Sequence, residues 1–349
     1  MARCGYGNHK ISLNLIQRDK PYLGHWNRKV QPREMNLKHL ERHQAWIYLG
    51  AILLGLATGT LAPAMAGTFE ALLWPVLGIL LFTTFTQMPP AHLSRAARDQ
   101  RFMGAILFGN FVLVPLLVWG LITFLPEDPA LKLGVIVVLL APCTDWFVTF
   151  THLGHGDAAR AATATPILLL VQIALLPLFL FLFLGEAFLE LLAADRIAAV
   201  FVTLILLPLA AAFALDRWAD ARGDRAAVVD RLACFPVPLL AIVVFLIAAS
   251  QVDAVRDALP VLTQVAGIYV AYLAAAALLG AATGHVAGLP ATARRTLIFS
   301  LGTRNSFVML PLVLALGPEW SMAAVVIVFQ SLVELFGMAA YLWIVPRYL

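Results

Sequence analysis

Apolar residues in this chain come in long blocks separated by short polar or basic runs. Ten blocks can be drawn, at 45–65, 70–88, 102–124, 133–152, 162–184, 197–215, 234–250, 259–284, 296–316 and 321–345. Each is close to the roughly 20 mainly apolar residues that carry a helix across a bilayer core. A transmembrane β-barrel is excluded, because its strands would alternate in polarity instead of staying apolar throughout. The pattern predicts an all-α polytopic membrane protein of ten transmembrane helices.

Composition agrees with that reading. Hydrophobic residues make up 61% of the 349 positions and charged residues 13%, with a mean hydropathy of +0.87. Soluble domains lie nearer half apolar and a quarter charged. Charge adds an orientation: with the N-terminus in the cytoplasm, 20 of the 24 basic residues fall on the cytoplasmic side. Lys132, Arg196 and Arg256 lie outside, and Arg304 lies within a span. The positive-inside rule then puts both termini in the cytoplasm of a plasma-membrane protein. The net charge of +4 is thus a topology signal and gives no reason to expect nucleic acid. Cys4, Cys143 and Cys234 are too few and too scattered for a disulfide framework. Residues 1–44 read as a polar cytoplasmic tail, in which Met35 looks like a natural start just before the first helix.

Ten spans divide into five and five, and an odd number per half inserts the second half upside down. The division gives a first repeat at 45–184, an external loop at 185–196 and a second, inverted repeat at 197–345. Transporters built this way bind their cargo near mid-membrane, where interrupted helices meet. The second span ends on Gln87 and the seventh on Gln251; CTD at 143–145 parallels GTR at 302–304. Asp145 to Gln172 is nearly the same interval as Arg304 to Gln330. That pairing predicts that Asp145 and Arg304 face each other if the fourth and ninth spans cross.

Charges inside spans are costly, at roughly 2.5–3.5 kcal/mol for Asp or Arg at a helix centre, and they commonly mark a transport path. Three sit there: Asp145, Arg304 and Glu334. A structural ion pair is the plainer alternative, although such pairs often do no better than break even against apolar replacements. Pro142 lacks an N–H and is expected to break the fourth helix, while Gly302 and Pro311 bracket the polar run TRNS in the ninth. Interrupted backbone at membrane depth is tolerated where it lines a cavity or is buried in protein. In the tenth span Gln330, Glu334, Gly337 and Tyr341 share one helix face. Glu334 is read either as a proton carrier or as a helix-packing residue.

At these residues the chain resembles the arsenite efflux permeases of the bile acid:sodium symporter superfamily. The matching pieces are MPP at 88–90, GNFVLVP at 109–115, APCT at 141–144, RNSF at 304–307 and SLVEL at 331–335. The resemblance implies a ten-helix inverted repeat with a panel and a core domain, whose broken fourth and ninth helices cross at the substrate site. It also implies that Cys143 matches the cysteine needed for arsenite transport. The chain departs from the family at Asn305, Ser306, Phe307 and Val308, where the permeases carry a pattern similar to NNFE. It also departs at Arg304 and Asp145.

Together these readings expect a secondary active transporter, most simply a proton-linked metalloid (arsenite or antimonite) efflux permease. Cys143 serves as a soft ligand, with Thr144, Asp145, Arg304, Asn305 and Ser306 completing the substrate site. Gln330, Glu334, Gln87 and Asn110 stand behind them in coupling or support. The alternative is a sodium- or proton-coupled organic anion carrier held by Arg304; a channel or membrane sensor fits less well. The expected partners are a small inorganic or organic solute, H+ or Na+ and the lipid bilayer, with room left for a homo-oligomer. No cofactor, resident metal or enzymatic activity is expected: there is no Walker motif, and His152 and His155 alone make no metal site.

Overall fold

The fold is taken from a computed structural model, which describes residues 32–86, 99–144, 146–184, 201–220, 226–232 and 234–348. Gln87, the MPP run, Asp145 and the 185–196 loop lie outside the described residues. The chain divides into two units, Met1–Gln44 and Ala45–Leu349. All regular structure among the described residues is helical, and a helix falls in each of the ten apolar blocks.

The first helix, α1 (Pro32–Leu61), starts well before its apolar block. Its leading residues, PREMNLKHLERHQ, are rich in Leu, Glu, Lys and Arg, all good helix formers. Next come α2 (Ala66–Phe85) and a span in three parts: α3 (Gln100–Phe108), a π-helical turn at Gly109–Leu113 and α4 (Val114–Ile122). The fourth block holds two pieces, α5 (Pro129–Leu140) and α6 (Trp146–Leu153), followed by α7 (Ala158–Leu184). Beyond it lie α8 (Leu207–Asp220), entered through a π turn at Phe201–Leu206, then α9 (Ala226–Leu232) and α10 (Pro236–Ser250). The long α11 (Val252–Val286) leads to the second broken segment, α12 (Ala291–Gly302) and α13 (Ser306–Leu314), and α14 (Ser321–Tyr348) ends the chain.

Six helical segments among the described residues are long and apolar enough to cross a membrane: Pro63–Phe85, Gln100–Ile122, Ala158–Phe183, Val202–Ala219, Val252–Val286 and Pro318–Tyr348. Shorter apolar helices cover Trp46–Leu61, Pro129–Leu140 and Pro236–Ser250. Large apolar side chains such as Trp119, Leu278, Phe336 and Trp343 stay exposed. Exposed apolar surface of this kind suits lipid and not water.

Small residues let backbones touch. A Cβ on Gly55 would lie 2.4 Å from the carbonyl oxygen of Phe245, and one on Gly59 would lie 2.3 Å from that of Ala249, so α1 and α10 meet through a G-x-x-x-G face. Gly280 and Gly284 repeat the device where α11 packs on α12. At one end of the bundle, the side chain of Asp99 caps α3 by accepting from Phe102 N, and it also accepts from Arg160 Nε of α7 at 2.7 Å. Arg160 also pairs with Asp157 at 3.0 Å, and the Asp157 N–H donates to Thr296 Oγ1 of α12. Partial burial pushes the Asp99 carboxyl up, but the hydrogen bonds from Arg160 and Phe102, with the arginine charge, outweigh it and hold the carboxyl below its ordinary value.

Candidate functional site at the helix crossing

The two interrupted helices meet back to back. α5 ends with Ala141 in extended conformation (φ −96°, ψ 108°), as a residue preceding proline should be. α12 ends with Thr303 extended in the same manner (φ −93°, ψ 137°). Between them Pro142 and Arg304 form an antiparallel bridge. Its two hydrogen bonds run from Cys143 N to Thr303 O (3.2 Å) and from Asn305 N to Ala141 O (2.8 Å).

In this register the bridge residues themselves exchange no hydrogen bond. Pro142, with no N–H, therefore stands where the bridge requires no donor. Arg304 has an N–H left over, and Glu334 Oε2 of α14 accepts it at 2.8 Å. The same carboxylate oxygen accepts from Gln330 Nε2 (2.7 Å), and Gln330 Oε1 accepts from Ser306 Oγ (2.6 Å). Thus the first residue of α13, two side chains of α14 and the broken strand form one buried polar chain.

The Arg304 side chain, 2% exposed, points back into the C-terminal ends of both half-helices. Nη2 donates to Ser300 O (2.9 Å), Leu301 O (2.8 Å) and Asn110 Oδ1 (2.9 Å), and Nη1 donates to Leu139 O (3.3 Å). The last carbonyls of a helix have no partner of their own and carry the negative end of its dipole. A cation placed there contributes up to about 2 kcal/mol in partly buried settings. The Tyr272 ring lies 5.5 Å from the guanidinium carbon, and the Tyr272 hydroxyl donates to Leu301 O at 2.7 Å. Asn110 is held in turn by bonds from its amide to Ile106 O and Ser300 Oγ, both 3.0 Å. Among the described residues Arg304 Nε has no partner.

Cys143 and Thr144 are buried at the break, and Asn305 Nδ2 reaches Thr144 Oγ1 at 3.4 Å. Asn305 also caps α13, its Oδ1 accepting from Val308 N. Cys143, Thr144, Arg304, Asn305, Ser306, Gln330, Glu334 and Asn110 therefore gather at the crossing. Asp145 and Gln87 lie outside the described residues, and the residue opposite Arg304 in the bridge is Pro142. Pro311 corrects a sequence expectation: it lies inside α13, which runs on to Leu314, and the interruption is confined to Thr303–Asn305. The extended Thr303 and the Asn305 cap account for the break without it. Among the described residues neither Cys143 nor Cys234 forms a disulfide. Among the described residues no cluster of His, Cys, Asp and Glu could hold a metal. An apolar recess lined by Ile52, Ile247, Val325, Phe329 and Leu332 lies elsewhere, with none of the polar crossing residues in its wall.

Tyr272 and Ser300 belong to the site and were not singled out from sequence. Each sits in an apolar span, and only the helix face it occupies, shared with its buried neighbours, could have marked it. Gln172 of α7, known from sequence only as a spacing mark, is 2% exposed, and both its amide atoms lack hydrogen-bond partners among the described residues.

Apolar helices around two broken, crossing segments define a multi-pass helical membrane protein. The model of the sodium bile acid symporter family matches residues 74–257, more than half of the chain, and the chain belongs to that family. It is also similar to the arsenical-resistance protein Acr3 of Corynebacterium glutamicum, with 30% identity over 133 residues. That alignment covers 36% of this chain and 35% of the relative, so it spans about a third of the relative's length.

Proposed function

We propose that the protein is a metalloid efflux permease of the plasma membrane, carrying arsenite or antimonite by alternating access linked to protons. The observation that carries the reading is the placing of a buried thiol, Cys143, at the crossing of two broken helices, beside the hydroxyl of Thr144 and the amide of Asn305. Arsenite near neutrality is mostly an uncharged trihydroxide with a soft centre. A cysteine sulfur suits the soft atom, and hydroxyl and amide groups suit its oxygens. The similarity to an arsenical-resistance protein favours the same cargo. Glu334, hydrogen-bonded to the backbone of the crossing, is the described carboxylate through which protonation would be felt at the site.

The architecture behind this reading is a ten-helix inverted repeat with both termini in the cytoplasm. In its favour, α5 and α12 are each 12 residues long and each ends on an extended residue that gives its carbonyl to the other strand. The organic anion reading keeps the support of the family description, but the Arg304 donors it needs are mostly committed to helix carbonyls.

The deciding experiment is expression in an arsenite-sensitive bacterium that lacks its own efflux systems. Wild type is expected to confer resistance, and Cys143→Ala to abolish it at equal membrane abundance. No resistance from a well-expressed wild type rejects the metalloid cargo. Arsenite extrusion from everted vesicles is expected to collapse when the pH gradient is dissipated; extrusion that persists rejects proton linkage.

A further inference from the structure

Four oxygens converge at the crossing: the carbonyls of Leu139, Ser300 and Leu301 and the side-chain oxygen of Asn110. In broken-helix transporters, oxygens at the C-terminal ends of half-helices are what hold a coupling cation. Here all four accept from Arg304, at 2.8–3.3 Å, and the Tyr272 ring adds a fifth electron-rich surface. No carboxylate among the described residues contacts the guanidinium itself; Glu334 meets the backbone N–H of Arg304 instead. Among the described residues the positive charge is therefore met by helix ends, an amide and a ring, which are also the groups a small monovalent cation would use.

We propose that the Arg304 guanidinium is a resident cation at this crossing, taking the place of a transported sodium ion, so that the protein works without sodium. Sodium does not fit the oxygen set as it stands. Its entry would require the buried guanidinium to leave the four acceptors that hold it, stranding the arginine charge away from these helix ends. A proton remains compatible with the arrangement, because Glu334 belongs to a different branch of the network. The consequence for coupling rests on the transport reading above, but the occupancy of the crossing does not.

The test reads stability and not transport, so its failure can be told from that of the cargo assignment. The full chain is purified in detergent and its thermal-unfolding midpoint is compared in sodium chloride and in choline chloride at equal ionic strength. A ligand bound only by the folded state raises the midpoint by mass action. The wild-type midpoint is expected to be the same in both salts. Arg304→Ala is expected to unfold at a lower temperature and to recover part of the loss in sodium or in millimolar guanidinium. A wild-type midpoint raised by sodium overturns the proposal, as does an Arg304→Ala protein that unfolds like wild type or ignores every small cation. Should Arg304→Ala not fold, Arg304→Lys carries the test with wild type: indifference of both to sodium supports the proposal, and stabilisation of either overturns it.

Discussion

The two halves of the crossing share a backbone plan and differ in how they finish it. On the arginine side, the N–H released by the bridge register is taken by Glu334, 30 residues further on. On the proline side there is no N–H to release, and Gln172, the same number of residues beyond Pro142, is buried with its amide unmatched among the described residues. One side is largely closed: Glu334 Oε2 takes the Arg304 N–H and the Gln330 amide, and the guanidinium Nη atoms reach Asn110 and the helix ends. Arg304 Nε has no hydrogen bond among the described residues. The other side keeps spare polar capacity at Gln172. A structural hinge needs the first kind of half, and a binding surface needs the second.

This contrast orders the effects of substitution. The largest loss should follow Arg304→Ala, which takes a donor from three helix carbonyls and from Asn110; a cost of about 3–5 kcal/mol is expected. Equilibrium unfolding in mixed micelles would measure it. Glu334→Leu should come next, at roughly 2–3 kcal/mol, because it orphans the Arg304 N–H and the Gln330 amide together. The matching change on the proline side, Gln172→Leu, should be neutral or stabilise by up to about 1 kcal/mol, since it removes an unmatched buried amide. If Gln172→Leu costs as much as Glu334→Leu, the two halves are equally closed and the contrast fails. Pro142→Ala should shift stability by about 1 kcal/mol or less, because the N–H it adds faces no demand from the bridge.

The smallest effect should come from Asp99→Asn, under about 1 kcal/mol, since Asp99 and Arg160 are each about one-third exposed. Its sign with pH is fixed. A carboxyl whose pKa is lower in the folded state contributes fully above its unfolded value and loses that contribution as pH falls through the folded one. Wild type and variant should therefore differ most at neutral pH and converge below about pH 4. A difference that grows on acidification would contradict the depressed carboxyl.

How much of this could be read in advance depended on the kind of signal. Long apolar blocks announce helices regardless of context, and each block is helical, the fourth and ninth in two pieces. Pro142 announces an interruption because its chemistry is local, and Arg304 and Glu334 stand out as charges among apolar neighbours. The partner of Arg304 did not stand out. Matching CTD with GTR pairs Arg304 with Asp145, which lies outside the described residues, while the backbone bridge of Arg304 is to Pro142. Three-residue matches between polar runs cannot fix a backbone register; the amide that proline lacks can. Pro311 misled for the opposite reason: a proline in a helix need not break it when the break has its own cap nearby. Tyr272 and Ser300 are ordinary in composition, and only the fold brings them under the guanidinium.

The π turn at Gly109–Leu113 has a consequence for timing along its span. Phe102, Ile106, Asn110, Val114 and Val118 are all buried. They recur every fourth residue, and an α-helix at 3.6 residues per turn would carry such a row around its axis by about 40° per step. One wider turn takes up part of that drift and keeps Asn110 in line with the hydrophobic anchors on both sides. The span thus works as a phase-corrected rod: the π turn carries one residue more than an α turn, and deleting that residue should close it to an α turn with Val114 and Val118 near their present line.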